Sequence, residues 1–157
     1  MKYILKKYPN VRFVLYYGGE IPRKFHMRWV ILKDFRYWTS IKEYPQRLKS
    51  MKFDIGLAPL RDRQFNRCKS NLKYLEYSAL RIPTVASYVE PYKDTRSLFA
   101  RSESEWIAQI EKLIKFDELR FQLGEASYNH VREEFNIEKI GKKYNKMIRG
   151  LLREPVS

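Results

Sequence analysis

The sequence predicts an α/β protein, a Rossmann-like parallel sheet with helices on both faces, and three observations predict it. Short β-branched and aromatic runs at 11–17, 29–32, 54–58 and 83–87 alternate with stretches of helix formers. Strands alternating with helices imply parallel pairing through right-handed crossovers. The chain of 157 residues is 44% hydrophobic and 15% aromatic, enough to bury one domain-sized core and far too apolar for a disordered tail.

The elements follow in order. Residues 2–8 suit a short helix, and the run 11–17 is a strand stopped by Gly18 and Gly19. Trp29, Val30, Ile31 and Leu32 make a second strand. Residues 44–51 are helix formers with Pro45 at an early position, where its missing amide costs nothing. The third strand, 54–58, ends at Pro59. Residues 71–80 carry Leu72, Leu75, Tyr77 and Ala79 at helical intervals and stop short of Pro83, which opens the fourth strand, 83–87. Ser102 and Glu105 form a capping box ahead of an apolar face of Trp106, Ile107, Ile110, Leu113 and Ile114. Asp117 is expected to cap a helix running to about Phe135. Asn136 is expected to cap the last, whose Ile137, Ile140, Tyr144, Met147, Ile148 and Leu151 recur at helical spacing. In one parallel sheet the loops after Tyr17, Leu32, Ala58 and Ser87 share the carboxyl edge, where such sheets bind ligands.

Thirty-two Lys and Arg against eighteen Asp and Glu give a formal charge of +14. That excess attracts phosphate, whether in nucleic acid, lipid headgroups or nucleotides, while its even scatter is what solvated faces produce. The single cysteine, Cys68, forms no internal disulfide, and His26 and His130 have no partners at metal-ligand spacing, so neither redox chemistry nor structural zinc is indicated. A nucleophilic Cys68 would need a base that the sequence does not supply. No run approaches the roughly 18 apolar residues of a membrane span, and residues 1–6 lack a signal-peptide core, so a cytoplasmic location is expected.

The densest constellation is DIGLAPL at 54–60, NRCKSNLKYLEYSA at 66–79 and IPTVAS at 82–87: a strand, a basic loop, a helix start and a strand. A helix amino end offers unpaired amides and partial positive charge. Ser70, Asn71 and the backbone there are placed to hold a diphosphate that Lys69 and Lys73 neutralise. Glu76, one turn on, is placed to accept both ribose hydroxyls, as acidic residues do in dinucleotide folds. The plainer alternative makes Lys69 and Lys73 surface lysines and Glu76 an ion-pair partner of Lys73.

These three segments together resemble the donor-binding domain of glycosyltransferases with the two-domain GT-B fold, and the nearest group is glycosyltransferase family 4. The likeness continues through RFQLGEA at 120–126 and into 131–135, and spans at least 11–152. It implies that Glu76 binds ribose, that Ser70, Asn71, Leu72 and Lys73 form the diphosphate loop and helix start, and that Asn66 and Lys69 belong to the same motif. Where many members carry a sugar-side glutamate, eight residues before the ribose one, this chain has Cys68, leaving Lys69 or Asn66 to compensate. Such domains usually open with a central strand, a Gly-rich turn and an Arg and Lys pair, and Met1 begins after that unit. The acceptor-binding domain is likewise expected from a separate chain or an N-terminal domain.

The resemblance further implies retaining transfer from a nucleoside diphosphate sugar, the substrate, with no cofactor and no essential metal. Tyr37 and Trp38 are candidates to stack on a nucleobase, and Tyr88, Tyr92 and Asp94 to line the sugar side, with core or rim packing as the alternative for the aromatics. Two other functions fit the composition. One is a basic module for single-stranded nucleic acid, for which no motif is found. The other is a noncatalytic remnant acting as an interaction protein or, through its basic face, at an anionic membrane, which would be the inner face for a cytoplasmic chain.

Overall fold

A computed structural model describes residues 2–17, 30–34 and 42–152. Seven helices and five strands are ordered α1 (Lys2–Lys7), β1 (Phe13–Tyr17), β2 (Val30–Asp34), α2 (Glu43–Ser50), β3 (Gly56–Ala58), α3 (Gln64–Arg67), α4 (Leu72–Ala79), β4 (Thr84–Ser87), β5 (Leu98–Ala100), α5 (Glu103–Lys115), α6 (Asp117–Glu134) and α7 (Ile137–Leu151) among the described residues. A single 3-10 turn, Glu90–Tyr92, lies between β4 and β5.

All strand pairing is parallel, as expected of an α/β chain, but the strands form two sheets. β1 pairs only with β2, Phe13 opposite Val30. The second sheet has the order β3-β4-β5, Gly56 opposite Thr84 and Val85 opposite Leu98. Among the described residues the strands lie in two sheets where one was expected, β1 and β3 sharing no ladder. β5 and α3 were not expected: strands of three residues and helices of one turn are too short to show periodicity.

Central β4 explains the layering. Successive strand residues point to opposite faces, and the fully buried Val85 joins Ile4 of α1 with Ile110 and Leu113 of α5, whereas Ala86 joins Ala58, Tyr74 of α4, Val89 and Tyr92. Helices therefore cover both faces of the three-stranded sheet. α6 contributes to both clusters, through Leu119 and Leu123 to the first and Val131 to the second. Lys7 ties α1 to α5 by donating to Glu111 at 2.6 Å, with the Tyr8 hydroxyl adding a bond to the same oxygen. That pairing lowers the Glu111 carboxyl and raises the Lys7 ammonium from their ordinary values.

Two glycines permit close approach. A side chain at Gly56 would run into the ring of Tyr77, so β3 lies directly against α4. A side chain at Gly124 would collide with the Arg81 carbonyl, so α6 crosses directly over the turn that ends α4. That turn is a Schellman motif: the Ile82 amide donates to the Tyr77 carbonyl and the Arg81 amide to that of Ser78, both at 2.9 Å, with Arg81 left-handed at φ 57°. Arginine there forgoes the conformational freedom of glycine. It is held by an ion pair to Glu125 at 2.6 Å and by its guanidinium over the Tyr128 ring.

The helix starts depart from expectation in detail. Ser102 accepts from the Glu105 amide as the capping box requires, but the Glu105 carboxylate returns its bond to the Arg101 amide, one residue early, because that amide lies 2.7 Å away. Asp117 is not a cap. Phe116 holds the extended N-cap position without a side-chain bond, and Asp117, already helical, pairs with Arg120 at 2.8 Å. Asn136 caps α7 as expected, through the Lys139 amide. α7 buries none of its residues.

Candidate functional site

The carboxyl ends of β3 and β4 lie side by side, and one bond fixes them: the Leu60 amide, just past β3, donates to the Ser87 hydroxyl at the end of β4, at 2.8 Å. The chain from Leu60 to Asn71 leads from this edge to the amino end of α4. Its short helix α3 is anchored by Arg67, which makes a two-pronged contact to Asp62 at 2.7 and 3.1 Å and holds that carboxyl below its ordinary range. Asn66, one of the expected donor-loop residues, has an architectural role here, its amide nitrogen donating to the Arg61 carbonyl at 2.8 Å.

Asn71 stands at the N-cap of α4 but makes no side-chain capping bond. The first-turn amides of a helix have no partner within it, and the Asn71 side chain supplies none here. Ser70 is exposed beside them, and Lys69 projects into solvent with its ammonium 5.1 Å from the centre of the Phe65 ring. Cys68 is exposed. Ser70, Asn71, Lys69 and Lys73 thus gather at one helix end on the sheet's carboxyl edge, the place the sequence assigned to them.

Glu76 lies one turn into α4 with its side chain only 16% exposed. Its Oε2 accepts from the Tyr44 hydroxyl at 2.8 Å and from Lys73 Nζ at 3.3 Å. The plain ion-pair geometry with Lys73 is therefore present, and a second donor, from α2, is added to it. Tyr44 is the site residue that sequence reasoning missed. It sits 32 residues from Glu76, and its only local signal is its place at a helix start. The carboxylate also acts on its surroundings: burial, helped by Glu76, pushes the Tyr77 hydroxyl up to about 12 and raises that of Tyr92.

The sugar-side candidates fare differently. Tyr88 follows β4 on the correct edge, half-exposed, but its ring is covered by the Arg101 guanidinium at 3.8 Å and meets Phe99 edge-on. Tyr92 is buried in the core beside Ala86, which corrects its assignment to the sugar side: its ring fills the space between β4 and α4. Asp94 is exposed. Tyr37, Trp38 and His26 lie outside the described residues. His130 is partly packed, with Nδ1 2.8 Å from the Tyr74 hydroxyl, and its burial and the nearby Arg96 lower its pKa.

The donor-loop residues occupy an open rim. Two surface cavities lie elsewhere, one of about 210 Å³ among Lys49, Phe53 and Arg81, the other of about 410 Å³ around His130, Arg96 and Glu133. No group of three or more His, Cys, Asp or Glu is placed to hold a metal ion among the described residues. Among known proteins, no family model matches the chain and no curated sequence matches it. The rim has donors for an anion, first-turn helix amides and two lysines, one of them paired with Glu76, and beside them a shielded carboxylate that accepts a hydroxyl hydrogen bond.

Proposed function

We propose that this chain binds the nucleoside diphosphate sugar of a glycosyltransferase, as the donor-binding half of a GT-B enzyme of the family 4 type. The observation that carries the reading is Glu76. It is a largely shielded carboxylate one turn inside a helix whose uncapped amino end opens on the carboxyl edge of a parallel sheet, and it already accepts a hydroxyl, that of Tyr44. A ribose diol would take up the same acceptor. The diphosphate would then lie against the amides of Leu72 and Lys73, with Lys69 and Lys73 countering its charge.

The topology supports the reading as well. A doubly wound sheet of order 3-2-1-4-5-6 has two wings on either side of its first strand. β1–β2 and β3–β4–β5 have the strand numbers and the parallel sense of those wings. In this function the chain contributes binding and leaving-group stabilisation. The acceptor site and further cationic groups at the diphosphate come from another domain or chain. Cys68 offers no carboxylate toward the sugar, so its recognition falls to Lys69 or Asn66.

Calorimetric titration of the chain with UDP, GDP, ADP and their sugar conjugates, at low and high salt, tests this. One nucleoside diphosphate is expected to bind selectively, and Glu76→Ala to weaken it by about 10- to 100-fold, the worth of hydrogen bonds to a charged group at about 1.5–3 kcal/mol. Tyr44→Phe, which removes one of the two donors on the carboxylate, is expected to leave binding unchanged or tighter. If no nucleotide binds while single-stranded nucleic acid does, with steep salt dependence, the donor reading fails.

A further inference from the structure

α7 is the one long helix of the described residues that buries no side chain, yet its pattern is the most segregated in the chain. At 3.6 residues per turn, Ile137, Ile140, Tyr144, Met147, Ile148 and Leu151 fall within an arc of about 100°. Five of these six are between 51% and 86% exposed. The rest of the circumference carries Lys139, Lys142, Lys143, Lys146 and Arg149 against a single acid, Glu138. Lys139 is paired with Glu134; Lys142, Lys143 and Lys146 form no ion pair among the described residues. Lys143 borders the apolar arc on one side, and Gly141 and Asn145 border it on the other.

We infer that α7 is an interfacial helix that lays its Ile, Met, Leu and Tyr stripe into the headgroup boundary of an anionic lipid surface, with its lysines on the phosphates. The two halves of the helix require this occupant together. A contiguous apolar stripe gains from hydrocarbon and has no counterpart on the outside of a nucleic acid. A second copy of the same helix would cover the stripe but leave Lys142, Lys143 and Lys146 without a counter-charge. An anionic membrane complements both faces at once: the stripe is buried, and the long Lys stems reach back to the phosphate level. No helix among the described residues is long and apolar enough to cross a membrane, so the contact is in the plane of the surface. α7 is remote in sequence from the donor rim, and the inference stands whether or not a nucleotide binds there.

The test is co-sedimentation of the full chain with vesicles of phosphatidylcholine alone and of phosphatidylcholine mixed with phosphatidylglycerol. Binding is expected to the mixed vesicles only, and to weaken at high salt as screening shortens. Met147→Glu with Ile148→Glu, two exposed positions whose change leaves the thermal midpoint in place, is expected to abolish it. Lys143→Gln, beside the stripe, is expected to weaken partitioning by roughly fivefold, and Lys142→Gln, on the far side of the helix, by less. Three results overturn the inference: no binding to mixed vesicles; binding undiminished by the Met147 and Ile148 pair, which assigns it to basic surface elsewhere; or a solution dimer that those substitutions dissolve.

Discussion

Helices α5 and α7 are written in the same local grammar. They are 13 and 15 residues long, each opens on a side chain that accepts from the amide three residues on, and each repeats apolar residues at helical spacing. Yet α5 buries Ile110 and Leu113 against Val85 and Ile4, with Trp106 and Ile107 packed around them, whereas α7 buries nothing. Amphipathic spacing specifies that a helix has a face; the neighbours decide what covers it. α5 follows β5 directly and returns across the sheet, so its stripe meets the core. α7 follows the far end of α6, beyond the last strand, and among the described residues no strand packs against it.

The largest test of this contrast is Leu113→Ala, which leaves a cavity in a fully enclosed site and is expected to lower stability by about 2–5 kcal/mol in urea unfolding. Ile148→Ala, the equivalent change on α7, is expected to stay within about 0.5 kcal/mol; a large loss there would show that the α7 stripe is covered. Gly124→Ala sharpens the comparison through α6, since its methyl group meets the Arg81 carbonyl and the helix must move off the turn, at about 1–3 kcal/mol. Next come the two caps. Ser102→Ala is expected to cost about 1 kcal/mol of global stability, because α5 is part of the core. Asn136→Ala is expected to lower helicity in circular dichroism while leaving the thermal midpoint in place.

The smallest effect is the pH dependence. His130 has a lowered pKa in the folded chain, so the unfolded chain binds a proton first as pH falls below about 6.5, and stability declines from there toward acid. Glu111, lowered by Lys7, adds a second decline below about 4.5, where only the unfolded chain protonates. Chemical denaturation across pH 4–8 is expected to show the first decline flattened in His130→Gln. An unchanged profile would place the acid sensitivity elsewhere.

Much of the fold was legible because the informative segments are local. Helices at 103–115 and 137–151 announce themselves through a capping residue and a repeating stripe, and the strands at 13–17 and 84–87 through β-branched runs with turn residues behind them. The rim at the amino end of α4 was legible in part. Ser70, Asn71 and Lys73 follow from the strand, loop and helix order, and Glu76 from its position one turn inside. Tyr44 was not legible, nor was the Arg101 cover on Tyr88, since each depends on chain segments meeting across long separations and, for Arg101, on a strand of three residues. Tyr92 was misplaced because it stands just beyond β4, where a sequence gives no sign of whether a ring turns outward or into the core.

By itself the sequence determined the longer helices and strands, the parallel α/β class and the concentration of basic and polar groups around α4, because dihedral preference, capping and periodicity act within a few residues. Only the tertiary structure decided that the strands divide into two sheets, that Glu76 is held by Tyr44, that Arg81 adopts a left-handed turn under α6 and that α7 keeps its stripe exposed. Each of these depends on which surfaces meet, and the free energy of a meeting belongs to both partners, so neither segment encodes it alone.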